Sequence, residues 1–180
     1  MARTWLSIRV ELVAGRGEQF WPRPGRIMAA ARSHSFEQLA ESINVAFGRW
    51  DFSHLSEFAL ADGTRIADAD PYLDPPEGTV ESRTAKLSRL GLDEQFAYTF
   101  DLGDDWQHLC TVRPERVDPV DVYGILPERP APYWGWGELP DQYGRQWAED
   151  DGETPMAPDP HGNDLPPILP EWTWYRGPGS

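Results

Sequence analysis

The sequence predicts an α+β domain, a mixed and mostly antiparallel sheet with one main amphipathic helix and a short second helix in the order β-β-α-β-β-α-β-β. Three observations carry that prediction. Leu6, Ile8, Val10 and Leu12 alternate with Ser7, Arg9 and Glu11, the period-two pattern of a strand with one buried face. Phe36, Leu39, Ile43, Ala46 and Phe47 fall on one stripe of a helix. Finally, FAYTFDLGDDWQHLCTV, from Phe96 to Val112, places two alternating apolar runs on either side of an acidic, glycine-containing turn, which is a β-hairpin pattern. Runs of strands with interposed helices contrast with the strict βαβ alternation of a parallel sheet.

The first strand spans residues 4–13 and ends at Gly15 and Gly17. Pro22-Arg23-Pro24-Gly25 excludes a helix, and Ile27 to Ala31 reads as a second strand antiparallel to the first. Ser35 and Gln38 have capping-box spacing at the head of the main helix, and Gly48 supplies its stop. His54 to Leu60 reads as a third strand, turning at Asp62-Gly63 into a fourth around Thr64 to Ile66. Asp68 to Gly78, acidic and proline-bearing, is a surface loop, and Thr84 to Leu90 is the short second helix, ended by Gly91.

In the hairpin, Phe96, Tyr98 and Phe100 share one face, as do Trp106, His108, Cys110 and Val112. Asp101 to Asp105 form the turn, with Gly103 the expected residue of positive φ and the aspartates accepting from backbone N–H groups. A turn of four or five residues sets Phe100 or Asp101 opposite Trp106 and brings Tyr98 within reach of His108. Tyr98 and Trp106 are expected to be buried.

Composition shifts near residue 118. Residues 1–118 form the expected core domain. Residues 119–180 form an acidic, Pro- and Trp-rich extension with eleven acidic and three basic residues. Its aromatics, among them Trp134, Trp136, Tyr143 and Trp147, are costly to leave in water, so the segment through Trp147 is expected to pack on the core, with 149–164 mobile. The same tryptophans, spaced by glycine and polar residues, also have the composition of a stacking platform.

The chain has 180 residues and a formal net charge of −14. That charge argues against nucleic acid as the main partner, because binding to phosphates rests on Lys and Arg. Cys110 is the sole cysteine, so no intramolecular disulfide forms and a reducing compartment is expected. With no apolar leader and no run of about 20 apolar residues, the expectation is a soluble, cytoplasmic protein that does not engage a membrane.

Tyr98, Phe100, Asp101, Gly103, Asp104, Trp106 and His108 reproduce a Tyr-x-Tyr/Phe-Asp-x-Gly-Asp-x-Trp-x-His pattern, and His54-Leu55-x-x-Phe58 follows a helix ending Ala46-Phe47-Gly48. Together these resemble the plasmid pRi ORF-three-like family, whose members are also labelled insertion-element passenger, TnpR-like proteins. The resemblance covers roughly residues 3–118. It implies a compact α+β fold in bacterial and mobile-element settings and carries over no established activity. After the hairpin, residues 114–124 only loosely echo the Cys/Pro-Pro-Glu-Asp-x-Gly-Gly segment that many members carry there. The nucleophilic serine, arginine cluster and basic helix-turn-helix of a serine recombinase are not found in the sequence.

Chemistry concentrates at the hairpin turn. Asp101, Asp104, Asp105 and His108, with His54 approaching from the neighbouring strand, offer oxygen and nitrogen donors suited to zinc, manganese or iron. The competing assignment makes Asp101 and Asp104 turn caps and His108 a core-edge histidine bonded to a carbonyl. Asp104 and Asp105, adjacent on an extended chain, point apart and make a poor acid–base pair. Cys110 shares a face with His108, where a thiol–imidazole dyad competes with an inert buried cysteine. No glycine-rich phosphate or dinucleotide motif occurs, and no cofactor is expected unless the acidic turn holds a divalent metal. The leading reading is a non-catalytic accessory protein that binds a protein or small ligand through His54, Tyr98, Asp101, Asp104, Trp106 and His108. The alternative is a metal-dependent hydrolase using His54, Asp101, Asp104 and His108.

Overall fold

The computed structural model describes residues 5–145. Nine strands form one sheet: β1 (Trp5–Gly15), β2 (Glu18–Gln19), β3 (Gly25–Ala30), β4 (Ser56–Ala59), β5 (Arg65–Ala67), β6 (Val80–Glu81), β7 (Gln95–Phe100), β8 (Trp106–Val117) and β9 (Ala131–Trp136). Their order across the sheet is β6-β5-β4-β7-β8-β1-β3-β9, with β2 paired to β1. Among the described residues only β5 and β6 pair in parallel. The fold is thus the mixed, mostly antiparallel α+β architecture that the alternating strands predict.

The main helix, α1 (Phe36–Ala46), begins where the capping box places it. Ser35 Oγ accepts from the Gln38 N–H, while Gln38 Oε1 accepts from the Ser35 N–H at 2.9 Å, so two otherwise orphaned donors are satisfied reciprocally. Its inner stripe, Phe36, Leu39, Ile43 and Ala46, packs on Leu6, Ile8, Val10 and Leu12 of β1, Phe58 of β4, and the inward aromatics of β7 and β8. Each large apolar side chain buried there contributes roughly 1.5–3 kcal/mol. The opposite face of the sheet carries a second, smaller cluster of Trp5, Ala29 and Val117, covered by Tyr123 and Tyr133.

Residues 84–90 differ from expectation. They form an extended approach and a single 3-10 turn at Leu87–Arg89, because Lys86 is extended and bridges to Ser35, leaving too few residues for an α-helical nucleus. The second α-helix lies later, at α2 (Pro119–Tyr123). Asp118 caps the Val120 N–H, proline opens the helix, and Gly124 takes the left-handed conformation after it. The sheet also crosses the compositional boundary at residue 118. β9 pairs antiparallel with β3, and its Pro132 sits at an irregularity in the ladder, on the outer strand where proline is tolerated. Among the described residues no helix is long and apolar enough to cross a membrane.

Candidate functional site

The β7–β8 hairpin has the expected register, with Phe100 opposite Trp106 and Tyr98 opposite His108. Its turn is built differently from expectation at Gly103. The left-handed positions fall on Asp101 (φ 56°) and Asp105 (φ 55°). Asp101 carries the turn instead: its Oδ1 accepts from the N–H of Gly103 at 3.0 Å and of Asp104 at 3.2 Å, and its carbonyl accepts from Asp105. Aspartate tolerates positive φ because its short carboxylate satisfies the local backbone. The Asp104 carbonyl then accepts from the Arg16 N–H at 2.7 Å, fastening the turn to the end of β1.

Three of the six residues named from sequence lie inside the core. Tyr98 is fully buried and donates from its hydroxyl to Asn44 Oδ1 at 3.0 Å. Trp106 stacks against Phe20, with ring centroids 6.2 Å apart. His108 is buried between Tyr98 and Phe47, and its Nδ1 bonds the Tyr98 carbonyl at 3.0 Å. Burial, then the nearby Arg49 charge, holds the His108 imidazole well below its ordinary range, so the ring is neutral. Cys110 beside it is equally buried, and burial followed by the Glu11 charge pushes its thiol far up, away from the reactive thiolate.

His54 and Asp101 do meet, with Nδ1 and Oδ2 3.5 Å apart. His54 lies in the loop before β4 and not on the strand itself. Its other nitrogen faces Tyr143, one of the extension's aromatics expected to pack on the core, and through it Asp51, which the sequence pattern did not mark. Nε2 is 2.7 Å from the Tyr143 hydroxyl, which donates to Asp51 Oδ2 at 2.6 Å. Burial and the Asp51 acceptor push the Tyr143 phenol up to about 12, while hydrogen bonds from Ser53 and then Tyr143 hold the Asp51 carboxyl well below its usual range. Tyr143 belongs to a segment, residues 141–145, that is clamped onto residues 50–54. Gln142 bonds the backbone of Trp50 and Asp51, and Asp141 accepts from the Trp50 indole at 3.3 Å and from Arg145 Nε at 2.8 Å. Burial opposes ionisation of Asp141, but hydrogen bonds from Arg145 and the Tyr143 N–H outweigh it and lower the pKa.

The four residues considered as metal ligands are therefore not gathered into one set. His54 and Asp101 are neighbours, His108 is turned into the core, and Asp101 Oδ1 is committed to the turn. Among the described residues no group of three or more His, Cys, Asp or Glu is disposed to hold a metal ion.

Next to His54 opens a cleft of about 160 Å³. It is lined by Glu37, Ala40, Glu41 and Asn44 of α1, by Phe52 and His54 of the preceding loop, and by Ser56, Asp68 and Phe100. Asp68 accepts from Ser82 and, at 3.4 Å, from Ser56, which fixes its carboxylate between two hydroxyls.

The model of the plasmid pRiA4b ORF-3-like proteins matches residues 7–127. The chain belongs to the plasmid pRiA4b ORF-3-like family. A crystal structure of a protein of unknown function from Methanosarcina mazei Go1 superposes with a TM-score of 0.63 at 20% identity, covering 80% of this chain and 76% of that one. The two share a fold. No curated protein matches the sequence.

The family match ends before the clamp at residues 141–145, so Tyr143 lies outside the matched residues while touching His54 inside them. Sequence reading located the hairpin and His54 but missed Asp51, Asn44, Asp68 and Gln142. Each is a single polar residue in a loop or on a helix flank, where no period-two or helical repeat singles it out.

Proposed function

We propose that this plasmid pRiA4b ORF-3-like protein is a non-catalytic accessory protein that acts by binding, and that its ligand seat is the cleft between α1 and the His54 loop. The observation that carries this reading is the composition of the cleft lining: two aromatic residues, Phe52 and Phe100, line it together with the hydrogen-bonded polar side chains of Asn44, Ser56 and Asp68. Apolar walls with a few immobilised polar groups are the usual form of a recognition pocket. A small ligand, or one side chain of a larger partner, fits its size. The family description supports a plasmid or mobile-element setting. The absence of a membrane or nucleic-acid partner, the cytoplasmic location and the lack of a required cofactor are parts of the same proposal, supported by charge and composition. The hydrolase alternative on His54, Asp101, Asp104 and His108 has no comparable geometric support.

A library of small polar and charged fragments, screened by amide NMR on the full chain, tests the reading. Perturbations centred on Asn44, His54 and Ser56 are expected. Perturbations that cluster instead on the far face of the sheet, or none at all, would overturn it.

A further inference from the structure

We infer that the cleft beside His54 selects a small organic cation that also carries a hydroxyl or carbonyl oxygen, an amino alcohol in its simplest form. The inference rests on the ligand seat proposed above and specifies its chemistry. Charge gives the first half of the argument. Three carboxylates, Glu37, Glu41 and Asp68, line the cleft, and none of its described lining residues is a lysine or arginine. Arg83 and Arg129 meet Glu37 and Glu41 at 3.6 and 3.5 Å without themselves lining the cleft. Asp68 is half-buried, and its hydrogen-bond partners Ser56 and Ser82 are uncharged, so its negative charge is oriented without being neutralised. The Phe52 and Phe100 rings add faces that attract a cation. A chain of net charge −14 concentrates cations at its surface in any case.

The second half comes from Asn44, independently of the acids. Its side chain is 5% exposed and lines the cleft. Oδ1 is held by the Tyr98 hydroxyl at 3.0 Å, whereas Nδ2 has no hydrogen-bond partner. An amide donor that the fold fixes at the cleft, with its oxygen already engaged by Tyr98, offers its N–H groups to an acceptor bound there. A bare ammonium or metal ion has no acceptor to offer. A cation with a neighbouring oxygen meets both demands, placing its nitrogen towards Asp68, Glu37 and Glu41 and its oxygen against Asn44. The volume sets the size. About 160 Å³ is close to the space that holds a benzene-sized ligand in a protein interior, so the recognised group is a small head and not a polycyclic molecule.

Three isosteric probes separate the two demands: ethanolamine carries both groups, propylammonium lacks the oxygen, and ethylene glycol lacks the charge. Titration of the full chain, followed at the Asn44 side-chain amide and the Ser56 and His54 signals, is expected to show ethanolamine binding at least several-fold more tightly than either analogue. Glu41→Gln, a change at an exposed rim position, is expected to weaken ethanolamine about threefold and leave ethylene glycol unchanged. Asp68→Asn is expected to weaken it more, with the amide spectrum reporting that the fold is retained. Vesicles of phosphatidylethanolamine distinguish a lipid headgroup from a soluble amine as the source of the same chemistry. Equal or tighter binding of ethylene glycol or acetate at these residues would overturn the inference while leaving the cleft as ligand seat. If no probe and no library fragment perturbs the cleft, both this inference and the ligand seat fall.

Discussion

The side-chain amide of Gln142 pairs with the backbone of Asp51 as a neighbouring peptide group would: the Asp51 N–H donates to Oε1 at 2.9 Å, and Nε2 donates to the Asp51 carbonyl at 2.8 Å. The Trp50 N–H shares the same Oε1 at 3.0 Å. One glutamine, 2% exposed, therefore satisfies three backbone groups of a loop that has no sheet or helix partner of its own. This pairing fixes the loop bearing Asp51, Phe52 and His54, and so one wall of the cleft.

Gln142→Ala is expected to cost about 1–3 kcal/mol, because it takes the partners from three part-buried backbone hydrogen bonds without altering the apolar core. The loss should be local. Hydrogen exchange should accelerate at Trp50 and Asp51 well before it does at Tyr98 or Val112. Uniform acceleration across the sheet would mean that the clamp is integral to the core.

Gly15 lies where a Cβ would fall inside the Trp106 indole. Gly15→Ala must displace that ring from its place between the sheet and Phe20, an overpacking expected to cost about 1–3 kcal/mol or more. Trp106→Ala removes the ring and should cost about 3–5 kcal/mol. The two losses share one cause, so in urea unfolding the double variant should be less destabilised than the sum of the singles. Strict additivity would show that Gly15 is required for its backbone alone.

Period-two and helical patterns made the core legible because burial repeats along the chain. Leu6 to Leu12, the Ser35–Gln38 cap and the Phe100–Trp106 register all follow from local residue types. β9 was not legible as a strand, because Pro132 and Gly135 mark a loop by local rules. Yet Gly135 is needed there, since a Cβ at that position would come within 2.7 Å of Arg26 Cδ. The site followed the same division. His54 and Asp101 were found as a pair through composition, whereas Asn44, Asp68 and Gln142 acquire their roles only when separate segments dock. The hairpin face that suggested binding through Tyr98, Trp106 and His108 is the core face, and alternation alone does not say which of two faces meets water.

Asp101 combines a left-handed backbone with an Oδ1 that accepts from two N–H groups. Asp101→Asn retains both the acceptor and the tolerance for positive φ and should cost less than about 1 kcal/mol. Asp101→Ala loses both hydrogen bonds and adds backbone strain, for a cost of about 2–4 kcal/mol. Asp101→Gly relieves the strain alone and should fall between them. Denaturant titration of the three variants gives the order, and an alanine variant as stable as the asparagine would show that the carboxylate does not hold the turn.

Two buried histidines set the acid limit of the fold. His34 accepts from the Ala31 N–H through Nδ1 at 3.1 Å, and burial, then the Lys86 charge, lowers its pKa from 6.5 to about 4. His108 is depressed in the same direction by its burial and by Arg49. Both rings are neutral when folded and gain protons more readily when unfolded, so the unfolded chain binds more protons below pH 6.5 and acid favours it. The stability contributed by each neutral ring is complete above about pH 6.5 and is lost as pH falls towards the folded value. Each histidine adds a slope approaching 1.4 kcal/mol per pH unit within that window. Carboxylates held low, such as Asp51, add their own loss only as pH falls below about 4. His34→Asn keeps an acceptor for Ala31 and removes one titrating ring, so its stability should fall roughly half as steeply between pH 6.5 and 4.5. A slope equal to that of the wild type would show that His34 is already protonated in the folded chain.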